Sequence, residues 1–153
     1  MRLLLQRVKQ SSVEVEQQIV GKINHGWLAL LGISKEDSTE DSNYLIKKIL
    51  SLRSFPDEQG KMNLDIQAAN GSILLVSQFT LYGRCNKGNR PSFERAATPE
   101  LAEELYKAFI LELRASNLTV EAGVFGAKMT IHMTGDGPVT ILLDSKDKSN
   151  LSW

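Results

Sequence analysis

At 153 residues, 42% of them hydrophobic, the chain is long enough to bury one core and offers little room for a second domain. Its 18 Lys+Arg balance its 18 Asp+Glu, so no global field draws it to nucleic acid or membrane, and a polyanion has to be met by a local patch. The single cysteine, Cys85, excludes an internal disulfide framework, and the leading apolar run, Leu3 to Leu5, is too short for a signal-peptide core or a membrane span. A cytoplasmic protein without a membrane partner is the expectation. With no internal repeat, low-complexity tract or Pro/Gly/Ser-rich linker, residues 1–153 read as one domain.

In chain order, Val13 and Val15, then Ile19, Val20 and Ile23 beyond "EQQ", give the alternation of a hairpin. "WLALLGI", Trp27 to Ile33, reads as a strand buried on both faces. Ser38 with Asp41 resembles a capping box, and Leu45, Ile49 and Leu52 follow at helical spacing, which predicts a helix packed by one face. "FPDEQGKMN" has the residues of a turn, and "SILLVSQFTLYG", Ser72 to Gly83, is predicted as one long central strand. Thr98 before Pro99 supplies an N-cap and a first-turn proline, with Leu101, Leu105, Ala108 and Phe109 as the buried stripe of a second helix ending near Asn117. The remainder offers three strand-like pieces separated by Gly-containing turns. One of those turns, Gly135-Asp136-Gly137-Pro138, is either a tight connection or a turn whose peptide groups touch a ligand. Strands outnumber helices without a repeating βαβ order, so the fold class is α+β: a mostly antiparallel, barrel-like sheet with two main helices.

The usual catalytic constellations are missing. His25 in "NHG" and His132 in a strand have no partners at ligand spacing, so neither a metal site nor a cofactor is expected, and Cys85 has no base beside it. What stands out is "SQFTL", where Ser77, Gln78 and Thr80 put groups that need partners into an apolar run. In a continuing strand, Ser77 and Phe79 face one side and Gln78 and Thr80 the other. Downstream, Arg84, Lys87, Arg90 and Arg95 stand against the single acid Glu94, a local positive patch of the kind that meets phosphates.

Taken together these segments resemble the D-aminoacyl-tRNA deacylase (D-tyrosyl-tRNA deacylase) family. "SQFTL" is similar to one family signature and "GPVT", Gly137 to Thr140, to the core of the other. "LQRV" at Leu5, "GKMN" at Gly60, "KGNRPSF" at Lys87 and "FGAKM" at Phe125 have family-like counterparts in the same order.

The resemblance implies a homodimer with active sites at the subunit interface. It implies hydrolysis of the ester between a D-amino acid and the terminal adenosine of tRNA, with glycyl-tRNA also in range and no DNA partner. Ser77, Gln78, Phe79 and Thr80 would line the catalytic pocket, while Gly137 and Pro138, joined by a cis peptide, would enter it from the partner subunit. Phe125, Gly126, Ala127 and Met129 would hold the adenosine, and Lys87 and Arg90 are candidates for tRNA phosphates. In this scheme two carbonyls bind the substrate ammonium and an L side chain points into the rigid dipeptide, so selectivity comes from rejection. The aminoacyl ester is already activated, so a positioned water and an oxyanion site at the Phe79 and Thr80 N–H groups can suffice. Thr80 as a covalent nucleophile is the rival route, weakened by the lack of a neighbouring base. The chain departs from the family by placing Gly135 where Asn commonly precedes Asp-Gly-Pro, and by "RCN" at Arg84 to Asn86.

Overall fold

The computed structural model describes residues 1–86 and 88–147. Its longest strand, β1 (Arg2–Val15), is shared by three neighbours. Along one edge it pairs antiparallel with β8 (Thr130–Asp144) over nearly its whole length. Along the other it pairs with β3 (Gly26–Gly32) through Arg2 to Val8 and with β2 (Gln18–Ile23) through Ser11 to Val15. β6 (Ser72–Ser77) and β7 (Val120–Ala122) extend the sheet beyond β3 in parallel register, and β2 curls back against both, so the sheet nearly closes as a barrel. A small hairpin, β4 (Phe55–Pro56) with β5 (Met62–Leu64), lies outside it. The antiparallel pairs dominate as expected; β3, β6 and β7 are the parallel exception.

Two apolar clusters explain why β3 and β6 are apolar throughout. Trp27, Ala29 and Leu31 of β3, with Ile73 and Leu75 of β6, face the main core beneath the helices. Leu28, Leu74 and Val76 face a smaller cluster with Val8, Val13 and Ile23 on the other side. The main core is covered by α1 (Thr39–Ser51), through Leu45 and Ile49, and by α2 (Pro99–Arg114), through Leu105, Tyr106, Phe109 and Leu113. The Asp41 carboxylate accepts the Ser38 N–H at 3.0 Å and fixes the start of α1. Ala108, predicted in the buried stripe of α2, is exposed, because the buried face advances through Tyr106 to Leu113 instead. The chain leaves that helix through Asn117, whose φ is +65°. No helix among the described residues is long and apolar enough to cross a membrane.

Two predicted elements are corrected. The strand expected from Ser72 to Gly83 stops at Ser77, and Phe79–Tyr82 form a 3-10 turn. Gln78 N–H makes the last bond to β3, at 2.8 Å from Leu31 O, after which Leu81 N–H turns back to Gln78 O at 3.3 Å and Gly83 N–H to Thr80 O at 2.9 Å. Ser77/Phe79 and Gln78/Thr80 therefore do not alternate across a sheet. Nor is Gly135-Asp136-Gly137-Pro138 a turn, because β8 runs straight through it. Gln6 is opposite Thr140 and Val8 opposite Gly135, so residues 136–139 bulge outward against Arg7 alone.

Candidate active site

Where β6 breaks into the 3-10 turn, the sheet and the start of α2 leave a cavity of about 500 Å3. Ser77, Gln78 and Phe79 form one wall, and Phe125, Gly126, Ala127 and Met129, from the connection between β7 and β8, form another. The structure thus joins two segments that lie far apart in sequence. Four small or rigid residues close the cavity along the approach to α2: Ala96, Ala97, Pro99 and Ala102, with Ile33 beside them. Sequence reasoning missed these, since small apolar side chains carry no chemical signature. Phe125 leans on Tyr106, ring centroids 5.8 Å apart, and the buried Tyr106 hydroxyl donates to Leu75 O at 2.9 Å. Burial pushes the Tyr106 phenol up to about 12, which keeps it a neutral donor at ordinary pH.

The cavity wall is mostly apolar and its polar groups sit at the turn. Gln78 Nε2 donates to Thr80 Oγ1, so the Thr80 hydroxyl is held by an amide that cannot accept its proton. Thr80 itself does not line the cavity. The turn's own hydrogen bonds begin at Leu81 N–H, and among the described residues the Phe79 and Thr80 N–H groups have no acceptor, which leaves them for an outside one. Phe79 is 56% exposed, its ring edge-on to Phe93 with centroids 5.0 Å apart.

Gly137 and Pro138 lie outside this cavity, exposed in the β8 bulge, and the peptide between them is cis. Asp136, one residue earlier, is bound from beneath: Arg7 Nε lies 2.8 Å from its Oδ2, in an ion pair without a hydrogen-bonding angle. Arg7 Nη1 also donates to Ser54 O at 2.6 Å. The sequence did carry a signal for Arg7, which follows Leu3 and Leu5 in the buried alternation of β1 and is itself buried.

Of the basic loop, Arg84, Arg90 and Arg95 are exposed, and Arg84 and Ser92 bridge its base through paired backbone bonds of 2.9 Å; Lys87 lies outside the described residues. His25 packs edge-on to Phe55, and His132 Nε2 is 3.4 Å from Glu14 Oε2, both away from the cavity. No group of three or more His, Cys, Asp or Glu able to hold a metal ion occurs among the described residues.

Comparison with known proteins bears on this geometry. The family model described as "D-Tyr-tRNA(Tyr) deacylase" matches residues 4–144. The D-aminoacyl-tRNA deacylase of Thermosipho africanus is 54% identical over 146 residues, covering 95% of this chain and 98% of that one. A solved structure described as "c-Myc DNA Unwinding Element Binding Protein" superposes with a TM-score of 0.88 at 42% identity, covering 94% of this chain and 98% of that one. A second, described as a probable eukaryotic D-amino acid tRNA deacylase, has a TM-score of 0.81 at 18% identity over the same shares and attests the fold alone.

Proposed function

The chain belongs to the D-aminoacyl-tRNA deacylase family, and on that premise we propose that it hydrolyses the ester joining a D-amino acid to the 3′-terminal adenosine of tRNA. The observation that carries the reading is the shared cavity: the Ser77–Phe79 wall faces the Phe125–Met129 wall across a space with room for an adenosine and its aminoacyl group. The adenosine lies along Phe125, Gly126, Ala127 and Met129, which brings its ester to the 3-10 turn.

Water adds to the ester carbonyl carbon, and the Phe79 and Thr80 N–H groups receive the oxyanion. The carbon–oxygen bond to the ribose then breaks, the ribose oxygen takes up a proton, and free D-amino acid and tRNA leave. Thr80 holds Gln78 rather than attacking; the amide partner supports this role, because it leaves the hydroxyl unactivated.

Chirality is read by Gly137 and Pro138 of a second copy, so the working unit is a homodimer. The exposed bulge in β8, with Met133 and Leu142 also exposed on that strand, supports the assignment. β8 pairs only with β1 among the described residues, which leaves its outer edge available. Rejection of L side chains leaves glycine unopposed, so glycyl-tRNA is a second substrate. Arg90, in the exposed basic loop, meets tRNA phosphate, an interaction that weakens with salt.

The test is hydrolysis of matched D-tyrosyl-tRNA, L-tyrosyl-tRNA and glycyl-tRNA by the purified protein. Loss of the D and glycyl esters with the L ester spared is the expected result; equal loss of D and L esters would overturn the chiral reading. A second reading, a DNA-binding module without turnover, draws on the 42% identical structure described by its binding to a DNA unwinding element. It predicts no hydrolysis of any ester and salt-sensitive retention of duplex DNA.

A further inference from the structure

Among the described residues no strand pairs with the 3-10 turn at Phe79–Tyr82, yet its first two N–H groups are useful only if they stay fixed relative to the cavity. Of the side chains outside the cavity that meet its far end, Ser34 hydrogen-bonds the Tyr82 hydroxyl and Arg2 reaches the backbone itself. Arg2 Nη1 donates to Leu81 O at 2.8 Å, while Arg2 Nε donates to Asp144 Oδ2 at 2.9 Å. Its guanidinium carbon lies 4.8 Å from the centre of the buried Tyr82 ring. Three faces of the guanidinium are thus committed, two of them to successive residues of the turn.

The placement follows from register. Arg2 stands opposite Gly32 of β3 and opposite Asp144 of β8, so it occupies the end of the sheet over which the turn folds. Gly32 makes that approach possible: a β-carbon there would lie 2.9 Å from Leu81 Cβ and 3.0 Å from Gln78 O. The turn is therefore seated on a residue with no side chain and gripped by the side chain of that residue's cross-strand partner. A simple ion pair with Asp144 would satisfy the charge of Arg2. It would not require a fork that also reaches a main-chain carbonyl within the turn.

We infer that Arg2 is a positioning residue for the deacylation site: through Leu81 O and Tyr82 it fixes the 3-10 turn, and with it the Phe79 and Thr80 N–H groups. This rests on the reading of that turn as the oxyanion site. It adds a role for a side chain that touches neither substrate nor cavity and that no chemical motif in the sequence marks.

The test compares wild type, Arg2→Lys and Arg2→Ala for turnover of D-tyrosyl-tRNA, and for amide hydrogen exchange at Leu81 and Gly83, the two donors that close the turn. In Arg2→Ala, kcat falls between about ten- and a hundredfold with KM little changed, as misplacement of a transition-state donor predicts. Exchange quickens at Leu81 and Gly83 while the β1–β3 amides keep their protection. Arg2→Lys, a single point donor, restores less than half of the loss, and millimolar ethylguanidinium restores turnover to Arg2→Ala where ethylammonium does not.

A folded Arg2→Ala enzyme with wild-type kcat overturns the inference, as does a loss borne by KM alone or one indifferent to ethylguanidinium. If wild type hydrolyses no ester yet the turn amides loosen in Arg2→Ala, the clamp stands and the reaction assigned to the site falls. Unchanged exchange removes the clamp whatever the activity.

Discussion

Arg7 and Asp136 are joined across the point where β1 and β8 fall out of step: Nε stands 2.8 Å from Oδ2 while four residues of β8 bulge opposite the single residue Arg7. The side chain of Arg7 is 9% exposed and that of Asp136 24%, so the pair is largely withdrawn from water. Removing one partner of such a pair costs more than the pair itself contributes, because a guanidinium is left buried with, among the described residues, Ser54 O alone to receive it. Asp136→Asn keeps the shape and removes the charge. It should destabilise the protein by about 1–3 kcal/mol, read by urea unfolding, and lower the rate on D-tyrosyl-tRNA as the bulge loosens. An Asp136→Asn protein as stable and active as wild type would show that the bulge needs no brace.

How far this arrangement was legible depends on the range of the forces involved. The helix starts at Ser38 and Thr98 could be read because caps are local chemistry, and β3 because burial on both faces leaves an unbroken apolar run. The end of β6 could not, since "SQFTLY" is as compatible with a strand as with a 3-10 turn. The choice is made by Gly32 and Arg2, which are distant in sequence. Likewise Gly-Asp-Gly-Pro reads locally as a turn, and only pairing with β1 on both sides makes it a bulge. Within the site, the polar and aromatic members were visible as residues out of place. The small residues Ala96, Ala97 and Ala102 were not.

Gly137 has φ +123°, and a β-carbon on it would lie 2.9 Å from Val139 N and Cγ2 and 3.4 Å from Arg7 Nη2. Gly137→Ala therefore strains its own chain and, in the proposed dimer, would also obstruct a ligand in the neighbouring subunit. The expected outcome is loss of D-tyrosyl-tRNA hydrolysis together with a destabilisation of about 1–3 kcal/mol. Mixed dimers separate the two effects. A Gly137→Ala subunit paired with one inactivated at the Phe79 turn keeps one complete site if the site is shared, formed by its own cavity and the other subunit's intact Gly137, whereas a site built within one subunit leaves that dimer with none. Half of wild-type activity in these mixed dimers, although each parent homodimer is inactive, is expected; mixed dimers as inactive as their parents exclude a site shared between subunits.

Gly32 makes a prediction that does not depend on φ. Alanine at this position must displace Leu81 or the Gln78 carbonyl, both part of the turn or its entrance. Overpacking of this kind costs about 1–3 kcal/mol, and here the shift is directed at the two N–H groups proposed for the oxyanion. Gly32→Ala should lower kcat for D-tyrosyl-tRNA by more than its thermal midpoint would suggest, when assayed well below that midpoint. Full activity in a destabilised protein would show that the turn tolerates displacement.

Acid should unfold the protein through carboxylates that do not line the cavity. Asp41 is buried at the start of α1, and its carboxylate receives the Ser145 hydroxyl at 2.7 Å, Lys146 Nζ at 2.9 Å and the Ser38 N–H at 3.0 Å. Burial pushes its affinity for protons up, but these three donors outweigh burial and hold the carboxyl well below the usual carboxylate range. Asp144 is lowered in the same sense, with burial again opposed by the Lys146 N–H and Arg2. The unfolded chain, with Asp near about 3.9, takes up protons first. The stabilisation is thus fully present above that value and is lost as pH falls toward the folded-state pKa. Stability measured by urea unfolding should decline steadily from roughly pH 5 to pH 2. Asp41→Asn should be less stable near neutral pH and show a shallower decline, because one of the proton-linked groups is gone. An unchanged slope in that variant would assign the acid sensitivity to other carboxylates.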